Sequence, residues 1–192
     1  MSKNDNPWKN EKDFAMKRFQ RELDAGKVDI EIVDIINKIN QTDDYYTTST
    51  CSGRVQLIDI ASIEEMNGER LINSHSEISS DEIINLKFVN FLLLLSEPPI
   101  FHIVAKDEVT AKKILLIGQS CGFKRTGIRS IKNKRYTVEI LSTEFLKIPL
   151  GKDGIFWIKE EKIGELVVFV NDVLKRGKKK LEKLRKELKL SL

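Results

Sequence analysis

Eight consecutive residues, Thr47-Thr48-Ser49-Thr50-Cys51-Ser52-Gly53-Arg54, hold the densest set of reactive side chains in the chain. Hydroxyls and backbone N–H groups in a tight turn make an anion-binding nest, and Arg54 adds a forked donor suited to phosphate or carboxylate. The plainer alternative is a Thr-rich edge strand turning into the next strand, because Thr favours strands and Gly favours turns. Cys51 is a candidate nucleophile if Arg54 or His75 lies close enough to support a thiolate, and a small buried hydrophobe if neither does. His75 sits in a polar stretch at the end of a short strand, where it could act as a general base or a hydrogen-bond donor. His102 alternates with Phe101 and Ile103 and so faces away from them. Glu97 is fixed in place by Pro98 and Pro99 and is a further candidate to handle a proton. Each histidine has an equally simple structural role as a satisfied polar group. Two histidines and two widely spaced cysteines, Cys51 and Cys121, make a poor metal site, and none is expected.

Charge forms a second constellation. The chain has 192 residues, with 33 Lys and Arg against 29 Asp and Glu, for a net charge of +4. Residues 124–135 contribute six cations, Lys124, Arg125, Arg129, Lys132, Lys134 and Arg135, and no acid. Residues 171–192 carry nine cations, among them Lys175, Arg176, Lys178 and Lys179, against Asp172, Glu182 and Glu187. Each cluster is net +6, so the rest of the chain is net −8. An acidic body with two basic clusters suits a polyanionic partner held by part of the surface, and Phe123 and Tyr136 are placed to stack on bases there. A solvated hairpin and a solvated helix face are the alternative.

The elements that must position these residues follow from periodicity. Residues 8–25 read as an amphipathic helix that Gly26 stops. Asp29 can cap a second helix with Ile32, Val33, Ile36 and Ile39 on one stripe. Strands follow at 45–50, at 55–60 and from Leu71 to His75, with a loop over 61–69 between the last two. Ser79 or Ser80 caps a short helix. Residues 91–95 and 100–104 read as two buried strands joined by a turn at the prolines. Asp107 opens a helix that ends at Gly122. Strands at 123–131 and 135–141 flank a turn at Asn133, and Phe145 to Leu150 forms another. A long helix over about 160–189 is striped by Ile163, Leu166, Val167, Val170, Val173, Leu174, Leu181, Leu184 and Leu188; beyond Lys175 it is dominated by lysine and is a candidate to project from the body. The expected architecture is one α+β domain over 1–192, with mixed sheets packed by helices and two helix-plus-three-strand halves at about 29–76 and 107–150.

There is no glycine-rich dinucleotide loop, P-loop, HExxH or paired CxxC, which argues against the common nucleotide folds and a Rossmann-type methyltransferase. No apolar run approaches the length of a membrane span, and Met1 to Asn10 lacks the apolar stretch of a signal peptide. Two cysteines do not make a disulfide scaffold, so a cytoplasmic protein with reduced thiols is expected.

Several of these segments, in order, resemble the tRNA wybutosine-synthesizing methyltransferase family, the third protein of the wybutosine pathway, in its archaeal type. The resemblance rests on Gly26-Lys27-Val28-Asp29, on Ile36-Asn37 through Asn40, and on YYTTSTCSGR at 45–54. It continues through Ser74-His75, Glu97-Pro98 with Phe101-His102-Ile103, Ser120-Cys121-Gly122-Phe123 with Thr126-Gly127-Ile128, Ile148-Pro149-Leu150 and Asn171. Thr50 and Thr126 stand where the family often has serine, and the tryptophan often found shortly before the histidine is missing. The resemblance implies transfer of a methyl group from S-adenosylmethionine to a ring nitrogen of a 4-demethylwyosine-type base, built from the guanosine at position 37 of phenylalanine tRNA. On that basis Ser49, Cys51, Gly53, Arg54 and Asn171 are expected to hold the cofactor or the base. His75, His102 and Glu97 are expected to handle the proton, and the two basic clusters to hold the phosphates of the anticodon arm. The competing classes are a non-catalytic RNA-binding module and a structural subunit of a tRNA-modification complex.

Overall fold

The order of elements in the computed structural model, which describes residues 6–62, 64 and 67–192, follows the hydrophobic periodicity closely. Helix α1 (Pro7–Asp24) starts with Pro7 in its first turn and with Asn6 accepting from the Lys9 N–H. It ends where Gly26 takes φ +65°, letting the Gly26 and Lys27 N–H groups close back onto Leu23 and Glu22. A 3-10 turn (Ile30–Ile32) leads into α2 (Val33–Asn40). Strands β1 (Tyr45–Cys51), β2 (Arg54–Ile60) and β3 (Gly68–Ser74) precede the short α3 (Ser80–Ile84), whose Ser79 and Glu82 form a reciprocal cap. Then come β4 (Phe91–Glu97), β5 (Ile100–Ala105) and α4 (Glu108–Ser120), the last capped by Asp107 and Thr110. The chain finishes with β6 (Gly127–Lys132), β7 (Arg135–Leu141), β8 (Leu146–Lys152), β9 (Ile155–Phe156) and α5 (Glu160–Ser191). Part of the expected 61–69 loop, residues 63, 65 and 66, lies outside the described residues, and its end at 68–69 belongs to β3.

The α+β class holds, but every ladder among the described residues is antiparallel where mixed sheets were expected. The expected single domain divides into two compact units, each assembled from separated stretches. The first contains residues 1–52, 99–143 and 180–192, with a four-stranded sheet ordered β1-β5-β7-β6. The second contains residues 53–98 and 144–179, with a five-stranded sheet ordered β3-β2-β4-β8-β9. The proposed halves are therefore not spatial bodies: β1 goes to one sheet while β2 and β3 go to the other, and β6 and β7 part from β8 in the same way. The chain changes unit at Gly53, at Pro98-Pro99, after Thr143 and within α5 after Lys179. Proline has no N–H to give a ladder, so β4 and β5 do not pair, although they are adjacent in sequence.

In the first unit, α2, α4 and the end of α5 bury one face of the sheet around Ile35, Ile36, Phe101, Ile103, Phe123, Val138 and Ile140. Leu181, Leu184 and Leu188 belong to this core, so the lysine-rich end of α5 does not project. The leucines continue the apolar stripe at helical spacing and the lysines occupy the other faces. Arg185 ties this end to Asp34 at 2.6 Å and to the Glu31 carbonyl at 2.8 Å. On the opposite face of the sheet α1 packs through Trp8 onto Tyr46 and Val104. In the second unit, Leu57, Leu92, Leu94, Leu150, Ile163, Val167 and Val170 form the core under the first five turns of α5. No helix among the described residues is long and apolar enough to cross a membrane.

Candidate active site

In the first unit the site grows from a bulge. β1 is an edge strand whose pairing with β5 slips between Thr47 and Ser49, so that Thr47 opposes Ile103 and Ser49 opposes His102. An extra residue in one strand re-aims the side chains beyond it, and here it sets Ser49 beside His102 on the face away from the α2–α4 core. His102 in turn opposes Glu139 of β7. Val138 and Ile140 point into the core, so Glu139 must point out, as His102 does between Phe101 and Ile103. Cross-strand neighbours of this kind are about 5 Å apart at Cβ, and the two side chains close the gap: His102 Nε2 lies 2.6 Å from Glu139 Oε2, each side chain 19% exposed. Arg129 Nη1 donates to the same carboxylate oxygen and lies 3.2 Å from His102 Nε2. A lone pair on Nε2 would face the carboxylate's negative charge at 2.6 Å, so Nε2 carries the hydrogen and donates it, and the nearby Arg129 serves Glu139 rather than the ring. Burial pushes the Glu139 carboxyl up, but the hydrogen bonds from His102 and Arg129 outweigh it and hold it below the ordinary glutamate range.

Beside this group a cleft of about 490 Å³ opens between α1 and β1. Phe14, Arg18, Phe19 and Glu22 line it from α1, Lys27 and Val28 from the segment that follows, and Tyr46 to Thr50 from β1. Phe14 is 67% exposed, and Arg18 pairs with Glu22 at 2.7 Å one helical turn away. The sequence singled out the β1 wall of this cleft, Thr47 to Thr50, but neither its α1 wall nor Glu139. The signal for Glu139 was its alternation with Val138 and Ile140; what was missing was the register that brings it to His102.

The turn that was expected to bind an anion does bind a carboxylate, that of Asp29. The Ser52 N–H donates to Asp29 Oδ2 at 2.7 Å. Asp29 therefore does not cap the following turn with its side chain, as the sequence suggested. Cys51 is half-buried and Cys121 buried; neither forms a disulfide, and burial raises the Cys121 thiol.

In the second unit, Arg54 and Glu97 are register partners across β2 and β4, and Arg54 Nε donates to Glu97 Oε2 at 2.7 Å. Gly53 takes φ +91°, a backbone conformation that favours glycine, and its carbonyl lies 2.9 Å from His75 Nδ1. A carbonyl oxygen only accepts, so His75 carries its hydrogen on Nδ1, the opposite tautomer to His102. Ser96, next to Glu97, is fully buried, and its hydroxyl finds no partner. Asn171 is spent on structure: its amide accepts from the Ile78 N–H at 3.1 Å and donates to the Ile78 carbonyl at 2.8 Å, fastening the entry to α3 onto α5.

The basic clusters divide in a similar way. In the β6–β7 hairpin, Asn133 and Lys134 both take positive φ, 51° and 60°, the mark of a type I′ turn. Lys124, Arg125, Lys132 and Lys134 are exposed. Arg129 serves Glu139, and Arg135 bonds Glu11 at 3.0 Å while its guanidinium lies 4.9 Å from the centre of the Trp8 ring, pinning α1 to the sheet. On α5, Lys175 pairs with Glu77 at 2.8 Å and Arg176 with Asp172 at 3.5 Å; Lys179 is exposed and Lys178 half-buried.

This architecture, two antiparallel sheets with a long terminal helix and a polar sheet face, defines a fold with solved counterparts. The PH1069 protein from Pyrococcus horikoshii superposes with a TM-score of 0.90 at 32% identity, over 96% of this chain and 95% of that one. A hypothetical protein from Aeropyrum pernix shares the fold at a TM-score of 0.74 and 24% identity, over 85% of this chain and 99% of that one. The family described as Methyltransferase TYW3 matches residues 10–190, and the chain belongs to it. Its relatives include the tRNA(Phe) 7-((3-amino-3-carboxypropyl)-4-demethylwyosine(37)-N(4))-methyltransferase 2 of Pyrococcus abyssi, 42% identical over 85% of this chain and 81% of that protein. The corresponding methyltransferase of Thermococcus sibiricus is 36% identical over 93% of this chain and 92% of that protein. The protein is thus a methyltransferase built outside the Rossmann plan.

Proposed function

We propose that the protein methylates N4 of a 4-demethylwyosine-type base at position 37 of phenylalanine tRNA, with S-adenosylmethionine as the donor. The observation that carries this reading is the match to relatives named for that reaction, over more than four-fifths of both chains. S-adenosylmethionine, when bound, supplies an electrophilic methyl carbon on a sulfonium. The chain's own task is to align the accepting nitrogen with that carbon, exclude water and take up the nitrogen's proton.

The residues present suit the donor. Arg54, oriented by Glu97, is a forked partner for the carboxylate of its methionine portion. Ser49, Cys51 and Gly53 are the further contacts we assign to donor or base. His102 and His75, each fixed in one tautomer, are the groups for the proton, and Glu97 acts through Arg54. Lys124, Arg125, Lys132, Lys134, Lys178 and Lys179 are assigned to the phosphates of the anticodon arm, in the cytoplasm where tRNA is found. The assignment involves no metal.

Calorimetry with S-adenosylmethionine, followed by methylation of precursor tRNA(Phe) lacking the N4 methyl group, tests the reading. Saturable binding and incorporation of one methyl group at position 37 are expected. Binding of tRNA without any affinity for the donor would make the protein an RNA-binding module instead.

A further inference from the structure

The cleft between α1 and β1 and the group formed by His102, Glu139 and Arg129 adjoin on one unit, and no role has been given to the cleft or to Glu139. Ser49 joins them, since it lines the cleft and is the cross-strand neighbour of His102. Thr48, also in the wall, reaches the His102 carbonyl at 3.4 Å. The cleft offers an exposed aromatic ring at Phe14, cations at Arg18 and Lys27, acids at Glu11 and Glu22, and a row of hydroxyls at Thr48, Ser49 and Thr50. An aromatic face stacks planar bases without regard to their hydrogen-bonding edges. Paired charges of both signs suit a zwitterionic side chain, such as the amino-carboxypropyl arm in the names of the relatives' substrates.

We infer that the cleft receives the planar acceptor base and that His102, oriented by Glu139, takes the proton from its nitrogen. The inference rests on the function proposed above. Glu139 is a positioning residue: it holds Nε2–H, which leaves Nδ1 as the ring nitrogen that accepts, and its charge stabilises the imidazolium that forms. The base nitrogen loses one proton to Nδ1 and gains one methyl group, while the electron pair of the broken C–S bond remains on sulfur and cancels the sulfonium charge. The charged groups bonded to the imidazole or to its partner are Glu139 from β7 and Arg129 from β6; Ser49 is its uncharged cross-strand neighbour on β1, and Glu11, Arg18 and Glu22 of α1 line the adjoining cleft. Arg129 shares its charge with Glu139, which fixes the carboxylate's position and moderates its pull on the proton. The depressed carboxyl of Glu139 agrees with this, since it stays ionised while the imidazole changes charge.

Two readouts test the inference. The first is nitrogen-15 NMR of the histidine rings in the full-length protein without ligands. The Nε2–H tautomer is expected at His102, and an Nδ1–H tautomer overturns the dyad. The second is the pH dependence of methylation for the wild type, Glu139→Gln and Glu139→Asp. Gln keeps an acceptor for Nε2–H but removes the charge, so kcat at the plateau should fall by roughly ten- to a hundred-fold with KM for tRNA nearly unchanged. The acid limb should move to lower pH, because an imidazolium without its anion gives up the proton more easily. Asp should recover part of the rate, which also separates loss of charge from loss of fold. Phe14→Ala should raise KM for the precursor tRNA several-fold, with the affinity for S-adenosylmethionine unchanged. Wild-type kcat and pH profile in Glu139→Gln overturn the dyad alone, and an unchanged KM in Phe14→Ala overturns the cleft as the seat of the base. A wild-type protein that methylates no precursor tRNA overturns the proposed function and this inference together.

Discussion

His102 and His75 are held by different kinds of partner, and the difference separates their capacities. In the first unit a carboxylate grips His102 through Nε2; in the second a backbone carbonyl grips His75 through Nδ1. Both contacts fix a tautomer. The Glu139 carboxylate carries a full charge, so its hold on His102 gains strength as the ring becomes protonated, whereas the Gly53 carbonyl carries none. A carbonyl orients a ring for hydrogen bonding and gives far less support to a cation. On the function proposed above, that contrast makes His102 the first choice for the proton and leaves His75, with the Arg54–Glu97 pair, the first choice for holding a ligand.

The largest expected effect breaks that comparison directly. His102→Ala should lower kcat by about a hundred- to ten-thousand-fold, the range for loss of a general base. His75→Ala should act mainly on substrate or donor affinity, with a smaller loss of kcat. Steady-state kinetics of both variants decides it, and equal losses of kcat would mean that both rings carry the proton. Next in size is a test of the units themselves. Leu184→Ala empties a fully buried position in the first unit's core and should cost about 2–5 kcal/mol in urea unfolding. If the lysine-rich end of α5 were a solvated projection, the cost would stay under about 0.5 kcal/mol, as at a surface site.

Much of this is legible in the amino-acid sequence, and what is not has a physical reason. Helix starts and stops were legible because Asp107, Ser79 and Gly26 act within a few residues of their own position. His102 was legible as outward-facing because its flanking Phe101 and Ile103 are apolar. Glu139 shows the same alternation, yet the pairing of the two depends on strand register, a contact between residues far apart in sequence. A second register, that of β1 on β5, is shifted by one residue at the Thr48 bulge, and no pattern in a run of three threonines and a serine announces it. Asp29 shows the limit from the other side. It has the composition of a helix cap, but a more distant donor, the Ser52 N–H, captures its carboxylate. The division into units was hidden for a related reason: strands adjacent in sequence usually pair, and here the chain changes sheet at Gly53 and at the two prolines.

The basic clusters are the next contrast. Lys132 and Lys134 extend from the hairpin of the first unit and are exposed, whereas Lys175 already has Glu77 at 2.8 Å. Each phosphate contact contributes about one to the slope of log K against log salt. The double variant Lys132→Ala with Lys134→Ala should therefore flatten the slope for tRNA binding by about two. Lys175→Ala should change it by less than one, because part of that charge is already neutralised. Salt titrations of tRNA affinity make the measurement, and a larger change from Lys175 would place the main RNA contact on α5.

The smallest effect concerns how a surface tie fails in each unit as pH changes. In the first, burial is the largest single influence on the Asp34 carboxyl and pushes it up, but hydrogen bonding and charge from Arg185, with backbone hydrogen bonds, together outweigh it and leave it below its ordinary value. A depressed carboxyl favours the folded state at every pH above its unfolded pKa, near 3.8. That contribution is lost as acid protonates the folded form. In the second unit the sign is reversed. Hydrogen bonding to Glu77 raises the Lys175 ammonium above its ordinary 10.5, so its contribution is present below that pH and fades only as alkali removes the proton. Asp34→Asn should cost about 0.5–1 kcal/mol at neutral pH, a modest figure because the carboxylate is half exposed. The gap from the wild type should close below about pH 3.8, whereas Lys175→Met should match the wild type more closely as pH rises above 10.5. Urea unfolding across the pH range measures both, and a gap for Asp34→Asn that persists at pH 2 would show that the side chain stabilises the protein by packing rather than by its charge.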